Sequence, residues 1–108
     1  MKLVISPEAE RQLNKLNKAN SNYLVLWYDT EDCGCGVNGL PALRFTDKKN
    51  ESYIEVENET FSTLIQRDQA VFFAEKMRLD ISNGMFRLSS SEGILNPFIS
   101  QQSVCYIN

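Results

Sequence analysis

The absence of any long apolar segment limits the fold of this chain more than any other feature. The longest uninterrupted apolar run is the six residues from Tyr23 to Tyr28, and a membrane-spanning helix would require ~20 such residues. Most apolar runs have the length of a strand, and turn-forming pairs such as Asn83-Gly84 separate them. The sequence therefore predicts a single, mainly β domain over residues 1–108.

One segment near the N-terminus has helical rather than strand periodicity. Ser6 is a typical N-cap residue, and Pro7 is a typical first residue of a helix. Apolar residues then recur at positions 9, 13 and 16, which places them on one narrow stripe of a helix. We therefore predict one helix over about Pro7–Lys18, packed on the β-structure.

The remaining apolar segments predict seven or eight short strands. The run Tyr23–Tyr28 contains no polar alternation, which is typical of a central strand covered on both faces. Arg67–Phe73 is predicted to form a turn or a single helical turn, and Asn96-Pro97 a turn. The predicted strands lie at about 3–5, 23–28, 41–45, 53–56, 61–65, 77–81, 85–88 and 104–107. These elements predict a small sandwich or pseudo-barrel with one N-terminal helix.

The composition excludes several kinds of chemistry. The chain has no histidine and three cysteines, so Ser-His and Cys-His nucleophilic pairs and histidine-ligated metal sites are excluded. We find no phosphate-cradling loop and no nucleophile with an evident base, so we do not expect an enzyme. Eleven Lys and Arg residues against fourteen Asp and Glu residues give a net charge of −3, which argues against a nucleic-acid partner.

Two cysteines form the strongest candidate site. Cys33 and Cys35 flank one glycine within a polar, glycine-rich segment that follows the apolar run. Glycine allows the chain to bend around a bound atom, and soft thiolates select iron, copper(I) or zinc. Because an iron–sulphur cluster usually takes four thiolates, two facing chains would supply the full set from these two positions. An easily reduced disulfide between Cys33 and Cys35 is the competing interpretation.

The third cysteine, Cys105, is open to two interpretations. It lies in a strand-like run between Val104 and Tyr106, where a cysteine often serves as a small buried apolar residue. It becomes a third metal ligand if the tail folds back towards the other two cysteines. An odd number of cysteines excludes a fully paired set of disulfides, and the N-terminal apolar run is too short for a signal peptide. We therefore expect reduced thiols and a cytoplasmic location.

The order of these features resembles the HesB/IscA domain of A-type iron–sulphur carriers over nearly the whole chain. That family has a Gly-Cys-Ser-Gly loop after a strand, and Cys33-Gly34 or Cys35-Gly36 holds that place here. Leu79-Asp80-Ile81 matches the Ile-Asp-Tyr-like strand of the family, and Gly84–Leu88 matches its glycine–phenylalanine stretch. The resemblance implies a HesB-like fold.

The C-terminal part departs from the family pattern. Members that carry clusters end in Cys-Gly-Cys after an Asn-Pro stretch, whereas this chain has Ser89–Glu92 in place of that stretch and only Cys105 in its tail. The resemblance supports Cys33 and Cys35 as cofactor-binding residues by their position in the loop. Metal ligation would use the same two residues and, with the tail folded back, Cys105.

The resemblance also implies a function. It indicates an iron–sulphur cluster assembly or carrier protein, or a diverged relative, that binds iron or a cluster and passes it to apo-proteins. The implied partners are apo iron–sulphur proteins, the cluster-assembly machinery and a second copy of the chain in a homodimer, with no nucleic acid and no membrane. The alternative is a non-metal binding or regulatory module on the same fold, in which the cysteines are vestigial or redox-responsive.

Overall fold

The computed structural model describes residues 1–29 and 40–107, without the side chain of Asp29. This part of the chain contains one α-helix, two short 3-10 helices (Arg67–Phe72 and Gln101–Ser103) and nine strands. The strands and the helix are, in chain order, β1 Lys2–Ile5, α1 Pro7–Leu16, β2 Tyr23–Asp29, β3 Leu40–Thr46, β4 Tyr53–Val56, β5 Thr63–Gln66, β6 Lys76–Ser82, β7 Met85–Ser90, β8 Gly93–Ser100 and β9 Cys105–Tyr106. Within the described residues no helix is long and apolar enough to cross a membrane.

Helix α1 begins as predicted and ends two residues earlier than predicted. The Ser6 hydroxyl accepts a hydrogen bond from the Ala9 backbone N–H at 3.2 Å, which confirms the N-cap. At the other end, the Asn17 side chain accepts from the Ser21 N–H at 2.8 Å and donates to the Ser21 carbonyl at 3.1 Å. This local pairing turns the chain after Leu16, because an asparagine side chain competes with the helical backbone for hydrogen bonds.

A four-stranded sheet has the order β1-β6-β7-β8. Strand β1 runs parallel to β6, and the other neighbours are antiparallel. The β6–β7 turn contains Asn83 at φ 54° and Gly84 at φ 78°, as the predicted Asn-Gly turn requires.

A five-stranded sheet has the order β4-β5-β2-β3-β9. Strand β2 pairs antiparallel with β3 and parallel with β5, and β9 runs parallel to β3. The main core cluster contains apolar residues of both sheets and of α1, so the two sheets and the helix enclose it. The fold is mainly β with one helix, as predicted.

Strand β2 is covered on both faces, as its apolar run predicts. Leu24 and Leu26 belong to the main core cluster. Val25 points to the other face of the sheet and is also fully buried, in the same cross-strand row as Leu64 of β5 and Arg44 of β3.

Strand β8 shows where the prediction was wrong. The predicted turn at Asn96-Pro97 lies inside this eight-residue strand, and β7 extends two residues beyond the predicted strand 85–88, through Ser89 and Ser90. Strand β8 is at the edge of its sheet and pairs with β7 through two register shifts. Proline is tolerated there, since an edge strand with a bulge does not need every backbone N–H for pairing.

The carboxylate of Asp80 links strand β6 to the start of helix α1. Asp80 of β6 accepts a hydrogen bond from the Ile81 backbone N–H at 2.9 Å. This bond, the Ser6 hydroxyl and the nearby Arg78 lower the pKa of Asp80 from its ordinary value of 3.8. The ionised carboxylate therefore supports the junction between β6 and the start of α1.

Candidate functional site

The predicted ligands Cys33 and Cys35 lie outside the described residues. The structure does describe the hairpin from which they extend. Asp29, the last residue of β2, pairs with Leu40, the first residue of β3, and residues 30–39 connect the two. We call this end of the β2–β3 hairpin, from which residues 30–39 leave the described strands, the hairpin base.

A buried glutamine holds one side of the hairpin base. Gln69, in the 3-10 helix after β5, is 9% exposed. Its Oε1 accepts from the Tyr28 backbone N–H at 3.0 Å, and its Nε2 donates to the Tyr28 carbonyl at 3.1 Å. Strand pairing between β2 and β5 stops at Leu26, so the Gln69 amide acts as a substitute strand partner for the next rung of β2.

A buried asparagine holds the other side. Asn96 of β8 is 8% exposed, and its Nδ2 donates to the Pro41 carbonyl at 2.8 Å. Pro41 is the register partner of Tyr28. One rung of the hairpin, directly before the Asp29–Leu40 pair, is therefore held by two buried side-chain amides from opposite directions.

Aromatic stacking adds to this support. The rings of Tyr28 and Phe72 are stacked, with centroids 3.8 Å apart and an interplanar angle of 10°. Phe72 is at the end of the same 3-10 helix that carries Gln69. The helix therefore contacts Tyr28 twice: Gln69 bonds to the Tyr28 backbone, and Phe72 stacks on the Tyr28 ring. These two contacts restrict the positions that the hairpin base can take.

The third predicted ligand, Cys105, lies on β9 beside β3. It is partly buried and a free thiol, and its Sγ lies 3.3 Å from the Ser103 carbonyl, to which the thiol donates. Cys105 is the register partner of Arg44. Arg44 is four residues beyond Leu40, so at ~3.3 Å per residue Cys105 lies about 13 Å along the strand from the hairpin base.

The buried cation Arg44 fixes this tail. Its side chain is 2% exposed, and its Nη1 donates to the Leu43 carbonyl at 2.8 Å and to the Ser103 carbonyl at 3.0 Å. Ser103 therefore accepts from both the guanidinium and the Cys105 thiol. The Ile107 backbone N–H also donates to the Phe45 carbonyl at 2.8 Å, so the Cys105 segment has a defined register.

Chain length allows Cys35 and Cys105 to share one ion. Cys35 is five residues from Leu40, and five extended residues span at most about 17 Å. That reach exceeds the ~13 Å from Leu40 to the level of Cys105. Within residues 1–29 and 40–107 there is no group of three or more Cys, Asp or Glu side chains that could hold a metal ion.

Sequence reasoning did not find three of these supporting residues. Gln69, Asn96 and Arg44 act on partners 41, 55 and 59 residues away, and no local pattern encodes such distances. The one available signal was the apolar run of β2, because a strand covered on both faces implies that neighbouring polar side chains on those faces can also be buried.

Comparison with known proteins agrees with this architecture. The family described as iron–sulphur cluster biosynthesis matches residues 1–101. The uncharacterized protein YqkB of Bacillus subtilis (strain 168) is 28% identical over 103 residues, which cover 93% of this chain and 96% of that protein.

Solved structures show the same fold at low sequence identity. A proposed Fe–S biosynthesis protein from Lactobacillus acidophilus has a TM-score of 0.74 at 19% identity, covering 98% of this chain and 89% of that one. A similar protein from Lactobacillus salivarius, described as having a novel fold, has a TM-score of 0.74 at 16% identity, covering 98% of both chains. IscA with its [2Fe-2S] cluster has a TM-score of 0.61 at 13% identity, covering 91% of this chain and 97% of that one.

Proposed function

The chain belongs to the iron–sulphur cluster biosynthesis family, and from this membership we propose that it binds iron or an iron–sulphur cluster as cargo and passes it to apo-proteins. The family match carries the proposal, because it spans the segment that contains Cys33 and Cys35. Membership supports a role in iron–sulphur biogenesis, and the ligands and the transfer step are our proposal. We propose that the protein acts without an enzymatic step and that it is located in the cytoplasm.

The thiols would act by ligand exchange. As thiolates, Cys33 and Cys35 would bind the cargo, and soft sulphur ligands suit iron. During transfer, each iron–thiolate bond to this chain breaks as a bond to a thiolate of the recipient forms, and the released thiolate takes up a proton. The iron does not change its oxidation state in this exchange. The cluster-assembly machinery would supply the cargo.

The hairpin base favours such an exchange. It gives the two cysteines a common rigid origin, because Gln69 and Asn96 hold the Tyr28–Pro41 rung from both sides. Two thiolates per chain leave a cluster with two of its usual four ligands unfilled. A second copy in a homodimer would fill them during storage, and the thiols of the recipient would replace that copy during transfer. In a site formed within one chain, Cys105 would be the third ligand.

Anaerobic reconstitution with iron and sulphide tests the assignment. The wild-type protein is expected to gain a visible thiolate-to-iron absorption, and the Cys33→Ser/Cys35→Ser variant is expected to lose it. Cys105→Ser is the matched control, expected to change the spectrum or the stoichiometry without abolishing binding. A double variant that keeps the full absorption would refute the two ligands. Wild-type protein that binds no iron, with unchanged stability after removal of both cysteines, would favour the regulatory-module alternative.

A further inference from the structure

Among the described residues, several side chains on the outer face of the four-stranded sheet are exposed. Along β1, β6 and β7 the residues alternate between the two faces, with Leu3, Met77, Leu79, Phe86 and Leu88 facing the core. The outward-facing residues form cross-strand rows that the register defines: Lys2–Lys76, then Val4–Arg78–Ser89–Ile94, then Asp80–Arg87, then Ser82–Met85–Ser100. Phe98 of β8 also points outward, next to the core residue Ile99. We call this set the outer sheet face.

Its apolar content is higher than a solvated sheet face needs. An antiparallel sheet with one wet face normally shows polar residues there. Here Val4 is 44% exposed, Met85 39%, Ile94 50% and Phe98 73%. These four are half of the exposed large apolar side chains in the described part of the chain. Exposed apolar groups collected on one face are typical of a binding surface.

Its charge is opposite to that of the whole molecule. Four cations, Lys2, Lys76, Arg78 and Arg87, project from this face of a chain whose net charge is −3. The only carboxylate among the rows is Asp80, which pairs with Arg78 at 3.5 Å. Glu57 approaches Lys2 at 3.9 Å from the sheet edge. Within the described residues, no carboxylate pairs with Lys76 or Arg87, so both charges remain available to a partner.

We propose that the outer sheet face docks an acidic protein surface, and that this partner is an iron-free recipient of the cargo. Cations around exposed Met, Phe and Ile side chains fit carboxylates that surround an apolar patch. Nucleic acid fits less well, because the molecule as a whole would repel its phosphates and the face presents aliphatic side chains between its cations. The identity of the recipient rests on the proposed function, while the docking itself requires no metal.

The size of the face sets the strength of the contact. Three inter-strand spacings of ~4.8 Å and six residues at ~3.3 Å give an area of about 14 by 20 Å. That area is well below the ~800 Å² that each partner contributes to a standard stable interface. The contact is therefore weak and short-lived, as a protein that must release its recipient requires.

The test measures binding to a defined probe with iron-free protein. The probe is an iron-free [2Fe–2S] protein with a strongly acidic surface, and the same probe with amidated carboxylates is its control. Lys76→Gln/Arg87→Gln is expected to weaken binding about tenfold at low salt. The matched variant Lys18→Gln/Lys48→Gln, with the same charge change at exposed positions off this face, is expected to change binding by less than about twofold. Phe98→Ser, at a side chain that is 73% exposed, is expected to weaken binding without lowering stability.

Several outcomes would overturn the proposal. Equal losses of probe affinity in the two double variants would show that only overall charge matters. If the amidated probe bound as tightly as the acidic one, the claim that the face recognises carboxylates would be refuted. Tighter binding of a short duplex DNA or single-stranded RNA than of the probe would assign the face to nucleic acid. Self-association that Phe98→Ser abolishes would assign it to a second copy. Cys33→Ser/Cys35→Ser is expected to bind the probe as the wild type does, so a failure of the metal assignment remains distinguishable.

Discussion

Replacing Gln69 with leucine should remove one side of the support for the hairpin base. The change keeps the side chain similar in size and deletes both hydrogen bonds to Tyr28, which are 3.0 and 3.1 Å long. Each such bond contributes about 1 kcal/mol net, and a buried group left without a partner costs more. Because Tyr28 is only partly buried, water offsets some of that cost, so we expect a loss of about 2 kcal/mol in the free energy of unfolding.

Urea denaturation followed by tryptophan fluorescence and by circular dichroism measures this loss. With a slope near 2 kcal/mol per molar urea, the midpoint is expected to fall by about 1 M. Gln101→Leu is the matched control, because Gln101 makes one exposed hydrogen bond to the Gly84 carbonyl, at 2.9 Å. Because water can replace that exposed bond, its loss should cost no more than about 0.5 kcal/mol.

Gln69→Glu provides a more selective test of the same geometry. A carboxylate accepts from the Tyr28 N–H but cannot donate to the Tyr28 carbonyl, so this variant is expected to be less stable than the wild type at neutral pH. Protonation restores a donor, so the difference from the wild type should shrink as the pH falls. Equal midpoints for Gln69→Leu and Gln101→Leu, or a pH-independent difference for Gln69→Glu, would refute the role we assign to Gln69.

Other predictions concern the second amide, one carboxylate and the helix cap. Asn96→Ala leaves the buried Pro41 carbonyl without its donor and should lower the free energy of unfolding in urea by about 1–3 kcal/mol. Because both amides hold one rung, the effects of Asn96→Ala and Gln69→Leu should not add in the double variant. Additive effects would contradict a shared rung. The pKa of Asp80 is lowered on folding, so its contribution is present above its ordinary value of 3.8 and is lost as the pH falls through the folded value. Asp80→Asn should therefore be less stable than the wild type at neutral pH and should lose less stability as the pH falls. If the melting temperature of Asp80→Asn fell as steeply in acid as that of the wild type, this role of Asp80 would be excluded. Ser6→Ala should lower the free energy of unfolding by about 1 kcal/mol through loss of the N-cap bond. An unchanged urea midpoint would show that this bond does not stabilise the protein.

Elements with local signals were predicted well from the sequence. The N-cap at Ser6 and the proline that follows it mark the start of α1, and the Asn83-Gly84 pair marks the β6–β7 turn. The uninterrupted apolar run of β2 indicated burial on both faces, and Leu24 and Val25 confirm it from opposite sides. Each of these features has a signal that lies within a few neighbouring residues of the sequence.

Strand β8 and the supporting residues of the hairpin base were not predicted, because their signals are not local. Pro97 suggests a turn until the strand is known to lie at a sheet edge, where a missing N–H costs little. Gln69 and Asn96 are ordinary polar residues in the sequence, and only the tertiary fold brings them to Tyr28 and Pro41. The two cysteines were chosen by their chemistry, and their assignment stays a prediction that reconstitution will test.

The tail changes how a third ligand could contribute. Sequence reasoning required the tail to fold back towards the cysteine segment, and the structure places Cys105 on β9 in fixed register with Arg44. The Arg44 guanidinium and the Ile107 N–H each bind across this pairing, so sliding β9 along β3 would break both bonds and expose a buried cation, which is costly. Within one chain, a site that includes Cys105 would therefore need the connecting segment to span about 13 Å along β3, which is within the reach of five residues. Loosening the tail with Arg44→Gln should then weaken the contribution of Cys105 to metal binding while leaving that of Cys33 and Cys35 in place.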